Sequence, residues 1–85
     1  MEIEFDPAKD ATNIAKHHIS LARAVDFEML AVQPDTRFDY GEERFRAWGL
    51  VDGEAFCLPF TTRDEKVRAI SLRPAGEKEM KRYAP

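Results

Sequence analysis

The sequence predicts an α+β fold: two N-terminal helices packed on an antiparallel β-meander of four or five strands, closed by a short C-terminal helix. Three observations predict it. The pair Asp6-Pro7 is a helix-start signal and opens a run with helical periodicity. The middle of the chain alternates apolar and polar residues on both sides of Asp52-Gly53, a strong two-residue hairpin signal. The last quarter passes from a strand, Lys66 to Arg73, through Pro74 into a helix-compatible stretch, Glu77 to Tyr83. Helices laid on one face of a meander bury the apolar sides of both.

Taken in order, Glu2-Ile3-Glu4-Phe5 alternates and reads as a short first strand. Asp6 suits an N-cap and Pro7 the first helical position, so a helix follows from about Pro7 to His17. At 100° per residue Ala8, Ala11, Ile14, Ala15 and His18 fall on one side, where small alanines permit close packing. His18 on that side reads as a hydrogen-bonded, partly buried histidine. Lys9, Asn13, Lys16 and His17 fall on the other side. That stripe is either an ordinary wet face or a row of phosphate contacts that includes an imidazole able to exchange protons near neutral pH. Ser20 then caps a second helix through Leu21, Ala24, Val25, Phe27, Met29 and Leu30, which Gln33-Pro34-Asp35 ends.

Thr36 to Tyr40 is the next candidate strand, with Gly41-Glu42-Glu43 as its turn. Arg44 to Val51 and Glu54 to Thr62 flank Asp52-Gly53, and Phe56, Leu58 and Phe60 share one face. Pro59 has no N–H for a ladder and belongs at an edge or a bulge. Trp48 reads as a core or rim packing residue. Arg63-Asp64-Glu65 turns the chain into the strand that carries Arg68 and Arg73. The second face of the sheet is then partly open, lined by Arg63, Arg68, Arg73 and the last helix.

Composition narrows the function. Eighty-five residues make a single domain, 1–85, with a modest core. One cysteine, Cys57, excludes an internal disulfide, and with two histidines it makes no zinc site; no metal or other cofactor is expected. The acidic start and the lack of a long apolar run predict neither a signal peptide nor a membrane span, hence a cytoplasmic protein. The net charge of −3 is unevenly spread. Residues 1–62 hold six Lys/Arg against twelve Asp/Glu, a balance of −6; residues 63–85 hold seven against four, a balance of +3. Binding to phosphate follows local potential, so the basic quarter admits RNA or DNA despite the overall sign.

Phe5-Asp6-Pro7-Ala8-Lys9, Asn13, Lys16-His17 and Ile19-Ser20 form an ordered set with later segments. These are Ala24, Phe27, Gly41-Glu42-Glu43-Arg44, Gly49 and Phe60-Thr61-Thr62-Arg63, then Arg68-Ala69-Ile70-Ser71-Leu72-Arg73, Ala75, Glu79 and Tyr83. Over nearly the whole chain this set resembles the BrnT family of toxins from type II toxin–antitoxin systems. The resemblance implies a RelE-like fold and a metal-free endoribonuclease that cleaves RNA and inhibits translation. It also implies a BrnA-like antitoxin partner, through which alone the chain would meet DNA.

Carried onto this chain, the resemblance makes Arg68 and Arg73 the phosphate clamps, because a planar guanidinium can bind two oxygens at once. His17, Glu79 and Tyr83 are the candidate proton carriers, and Lys9, Lys16 and Arg63 hold the RNA backbone. Pro59, Leu72, Pro74 and Gly76 depart from the family's pattern. They motivate an alternative: a catalytically weakened homologue that acts as an interaction or autoregulation partner of an antitoxin. Strand geometry sets a further condition. Residues 68 and 73 are five apart and point to opposite faces of a regular strand. They share a site only if a bulge intervenes or Arg73 lies beyond the strand.

Overall fold

Asp6 accepts a hydrogen bond from the Ala8 N–H at 2.9 Å, Pro7 fills the first turn, and α1 runs Pro7–His17 as the sequence predicts. His18 ends it in the left-handed region, φ 59°, donating its N–H to the Ile14 carbonyl. The computed structural model describes residues 2–85. Its strands are β1 (Ile3–Glu4), β2 (Glu28–Pro34), β3 (Phe45–Val51), β4 (Glu54–Arg63), β5 (Lys66–Ala69) and β6 (Arg73–Pro74). A 3₁₀ helix spans Leu21–Asp26 and the last helix, α2, spans Glu77–Tyr83. One sheet has the order β1-β5-β4-β3-β2, with β6 also paired to β4. The pairs are antiparallel except β1 with β5. Among the described residues no helix is long and apolar enough to cross a membrane.

The α+β class holds, with corrections. The predicted second helix is only the 3₁₀ segment Leu21–Asp26, capped by Ser20, and Met29 and Leu30 lie in strand β2 instead. An apolar run of this length fits either period, and pairing with β3 decides it. At three residues per turn Leu21 and Ala24 fall on one face, and both are buried. Thr36 to Tyr40 is a loop, not a strand. Asp35 holds it, accepting from the Arg37 guanidinium at 2.8 and 2.9 Å and from the Tyr40 hydroxyl at 3.1 Å, which replaces ladder bonds with local ones.

The face of α1 is also reversed. Ala8, Ala11, Ile14, Ala15 and His18 are exposed, and the buried residue of the helix is Asn13. Beyond β1, the outer edge of the β5–β6 strand has no strand partner among the described residues, and α1 lies there. Asn13 supplies the missing ladder: Oδ1 accepts from the Leu72 N–H at 3.0 Å and Nδ2 donates to the Leu72 carbonyl at 2.8 Å. The same amide donates to the Ile19 carbonyl at 3.0 Å and accepts from the Ser71 hydroxyl at 3.2 Å. A polar residue faces inward because the thing it covers is backbone.

One face of the sheet makes the core, with Ala47, Val51, Phe56, Leu58, Phe60, Val67 and Ala69 packed on Leu21, Ala24 and Leu72. Gly49 admits the return of the chain into β2. A Cβ there would collide with the Glu28 carbonyl oxygen and lie 2.8 Å from Phe27 Cζ. The β3–β4 turn places Asp52 and Gly53 at φ 51° and 78°, the positive pair that the hairpin signal demands. The β4–β5 turn does the same with Asp64 and Glu65, at φ 52° and 64°, without a glycine. Replacing Glu65 by glycine removes that strain. It should raise stability by about 0.5–1 kcal/mol, read as a higher urea midpoint at unchanged slope. A lower midpoint would contradict the left-handed turn.

Candidate active site

The centre of the site is an irregularity. Up to Ala69 the strand pairs regularly with β4, Arg68 opposite Thr61; from Arg73 on it pairs again, Arg73 opposite Cys57. The register has slipped by one residue between them. Ile70 and Ser71 both donate to the Pro59 carbonyl, at 2.9 and 3.4 Å, which is the two-against-one pattern of a β-bulge. A strand residue's N–H and carbonyl point to the same edge, so the missing N–H of Pro59 falls where the bulge leaves the ladder broken.

The bulge restores parity. Thr61 and Cys57 are four apart on β4 and share a face, so Arg68 and Arg73, five apart, share it too. Four residues of strand still separate them by ~13 Å, and the two guanidiniums do not form one fork on one phosphate. Arg68 leans toward Glu4 of β1, Nη1 to Oε1 3.4 Å, a loose pairing. Arg63 lies two residues beyond Thr61, on the same face and exposed.

Against the bulge lies α1. Lys9, Thr12, Lys16 and His17 form one wall of a groove of about 350 Å³ whose other wall is Ile70 and Ser71. The stripe that read as either a wet face or a row of phosphate contacts is thus a wall of this groove, facing the strand residues Ile70 and Ser71. Asn13 ties the two walls together through Ser71 and Leu72.

Glu79 and Tyr83 stand apart from the groove, at the Arg73 end. Arg73 grips Glu79 with two bonds, Nη1 to Oε1 2.8 Å and Nη2 to Oε2 2.7 Å, and Trp48 Nε1 donates to the same carboxylate at 2.9 Å. The Arg73 guanidinium holds the Glu79 carboxyl down to about 2, against the opposing effect of desolvation and with help from Trp48. Tyr83 stacks on Trp48, ring centroids 4.2 Å apart and 8° from parallel. Cys57, directly opposite Arg73, is fully buried, and burial pushes its thiol up, away from the reactive thiolate.

Arg46 escapes a reading by motif, and Asn13, though part of the motif set, escapes a reading as an inward-facing residue. Arg46 lies two before Trp48 in β3, so period two puts both on the arginine-bearing face, and its guanidinium sits 5.1 Å from the Trp48 ring and 5.4 Å from the Tyr83 ring. That alternation was a usable signal. Asn13 stood in the polar stripe and in the family's set, and its low helix propensity in mid-helix was the sign of a further role. A second cavity, about 470 Å³, lies under the 34–45 loop, but Asp35, Arg37 and Tyr40 satisfy one another there. Among the described residues no three His, Cys, Asp or Glu side chains cluster as metal ligands.

Comparison with known proteins agrees with this geometry. The family model for the ribonuclease toxin, BrnT, of type II toxin–antitoxin systems matches residues 5–79. The crystal structure of the Brucella abortus ribonuclease toxin, BrnT, is similar with a TM-score of 0.68 at 29% sequence identity, over 91% of this chain and 99% of that one. Among curated proteins no relative matches. The matched region runs from the start of α1 through the bulge to Glu79, and the chain belongs to the BrnT family of type II toxin–antitoxin ribonuclease toxins.

Proposed function

We propose that this chain is a cytoplasmic endoribonuclease that cleaves RNA without a metal ion, in the groove between α1 and the bulge. A BrnA-like antitoxin neutralises it. The bulge supports this reading: it puts Arg68 and Arg73 on one face, and Ile70 and Ser71, between them in the chain, line a groove with Lys9, Lys16 and His17. Kinship with RelE-like ribonucleases is part of the proposal, supported by the antiparallel meander with a helix before it and another after it.

Metal-free cleavage needs three things. The 2′-hydroxyl must lose its proton as its oxygen attacks phosphorus, the extra negative charge on phosphorus must be stabilised, and the departing 5′-oxygen must gain a proton. Arg68 supplies fixed positive charge for the reacting phosphate and Arg73 for a neighbouring one along the strand, and Lys9, Lys16 and Arg63 hold the flanking backbone. Proton exchange falls to His17, the imidazole in the groove wall. Glu79, fully engaged by Arg73, and Tyr83, stacked on Trp48, are then held away from proton transfer. A disordered antitoxin segment that folds over this face would cover the arginines, and DNA contact would come through the antitoxin alone.

The departures from the family's pattern fit an active enzyme better than a weakened one. Leu72 is fully buried in the core, and Pro59 sits where the bulge needs no donor. Pro74 pairs with Phe56 at a strand end, and Gly76 starts α2. None of the four lines the groove. Induced expression of the chain alone in a bacterial host should arrest growth and deplete RNA. Normal growth at full soluble expression would contradict the reading.

A further inference from the structure

We propose that Arg46 and Arg73 form a second phosphate subsite for single-stranded RNA, and that the Glu79 carboxylate occupies it in the RNA-free protein as a built-in stand-in for a backbone phosphate. The inference rests on the RNA-cleaving reading above and adds a binding point outside the groove.

Arg46 carries the argument. Its Nε is buried and has no hydrogen-bond partner, alone in this among the buried side-chain atoms of the described residues. A guanidinium cannot shed its charge, so a buried Nε–H without an acceptor, on a partly exposed side chain, awaits an anion or sits at a loss. The aromatic rings of Trp48 and Tyr83 offset part of that loss but leave the Nε hydrogen bond unmade. The carboxylate at this spot, Glu79, has both oxygens on Arg73. Two guanidiniums and one carboxylate leave a local balance of +1 in a chain whose total is −3.

The forked Arg73–Glu79 pair has the form that an arginine makes with two phosphate oxygens. Its acidic half is on a removable part. No residue of α2 is buried, its first turn has no side-chain cap, and it is tied to the sheet by Glu79 and by the Tyr83 stack. A tilt of the helix uncovers Trp48 but leaves the cluster around Leu21, Phe60 and Leu72 closed, and a phosphate that replaces Glu79 gains Arg46 as well as Arg73. The subsite is ~13 Å along the strand from Arg68, too far to share its phosphate, so it serves a different nucleotide of the same strand.

The test is binding of a 2′-O-methyl oligonucleotide, which cannot be cleaved, to the full chain across a salt series. Glu79→Gln keeps an acceptor for Arg73 and Trp48 but loses the charge, and should tighten binding by about tenfold. Arg46→Met keeps the apolar stem between the rings, should weaken binding by about tenfold, and should lower the slope of log affinity against log salt by about one. If Arg46→Met does not fold, Arg46→Gln is read for the same change in slope. Inorganic phosphate alone should not displace the oligonucleotide at equal concentration. Weaker binding in Glu79→Gln, or an unchanged salt slope in the Arg46 variant, overturns the subsite, as does displacement by inorganic phosphate. Those results leave the ribonuclease reading intact if the wild type binds and cleaves RNA; a wild type that binds no RNA overturns both.

Discussion

Asn13→Leu should cost about 3–5 kcal/mol of folding stability, the largest loss expected from any single change on α1. The leucine has nearly the right volume, so the cost is not a cavity. It is the loss of partners for the Leu72 N–H, the Leu72 carbonyl and the Ile19 carbonyl. Each buried backbone group left unpaired costs about 1–3 kcal/mol. A domain of 85 residues has on the order of 4–13 kcal/mol to lose, so the variant sits near the edge of folding. Its melting temperature should fall by roughly 12–40 °C. Ile14→Lys, one residue along on the exposed face, should change stability by less than about 0.5 kcal/mol. The reverse outcome, a tolerant residue 13 and a sensitive residue 14, would mean that α1 packs by its alanine face after all.

The largest effect on activity should come from Arg68. Truncation to alanine removes fixed positive charge at the start of the bulge and should lower turnover about 10²–10³-fold, by analogy with losing one oxyanion donor. The fold should survive, because the Glu4 pairing is long and both partners are about 30% exposed. Arg68→Lys should recover only part of the rate, since an ammonium cannot span two oxygens in one plane. Single-turnover cleavage of a labelled RNA separates this loss from weaker binding. An Arg68→Ala variant that cleaves like the wild type would remove this residue from the mechanism.

Much of the fold was legible in the sequence because its signals are local. Asp6-Pro7 placed the start of α1, Asp52-Gly53 placed the hairpin, and Glu77 to Tyr83 placed α2. What was not legible depends on partners distant in the chain. Met29 and Leu30 satisfy a helical stripe as well as a strand until β3 is there to pair with them. Asn13 looks like surface on a helical wheel because the wheel cannot show that an open strand edge lies beneath it. The candidate site turned on one residue of register. Period two alone separates Arg68 from Arg73, and Pro59 was the hint that the ladder breaks between them. Arg46 was visible only through its alternation with Trp48, without a motif to draw attention to it.

In the mechanism proposed above, guanidinium and imidazole groups of this chain, and no metal ion, carry RNA cleavage. Purified protein incubated with an end-labelled RNA in excess EDTA tests it most directly. Attack by the 2′-oxygen with loss of the 5′-oxygen predicts fragments ending in 2′,3′-cyclic phosphate and 5′-hydroxyl, at a rate unchanged by the chelator. Cleavage abolished by EDTA and restored by a divalent ion would contradict it.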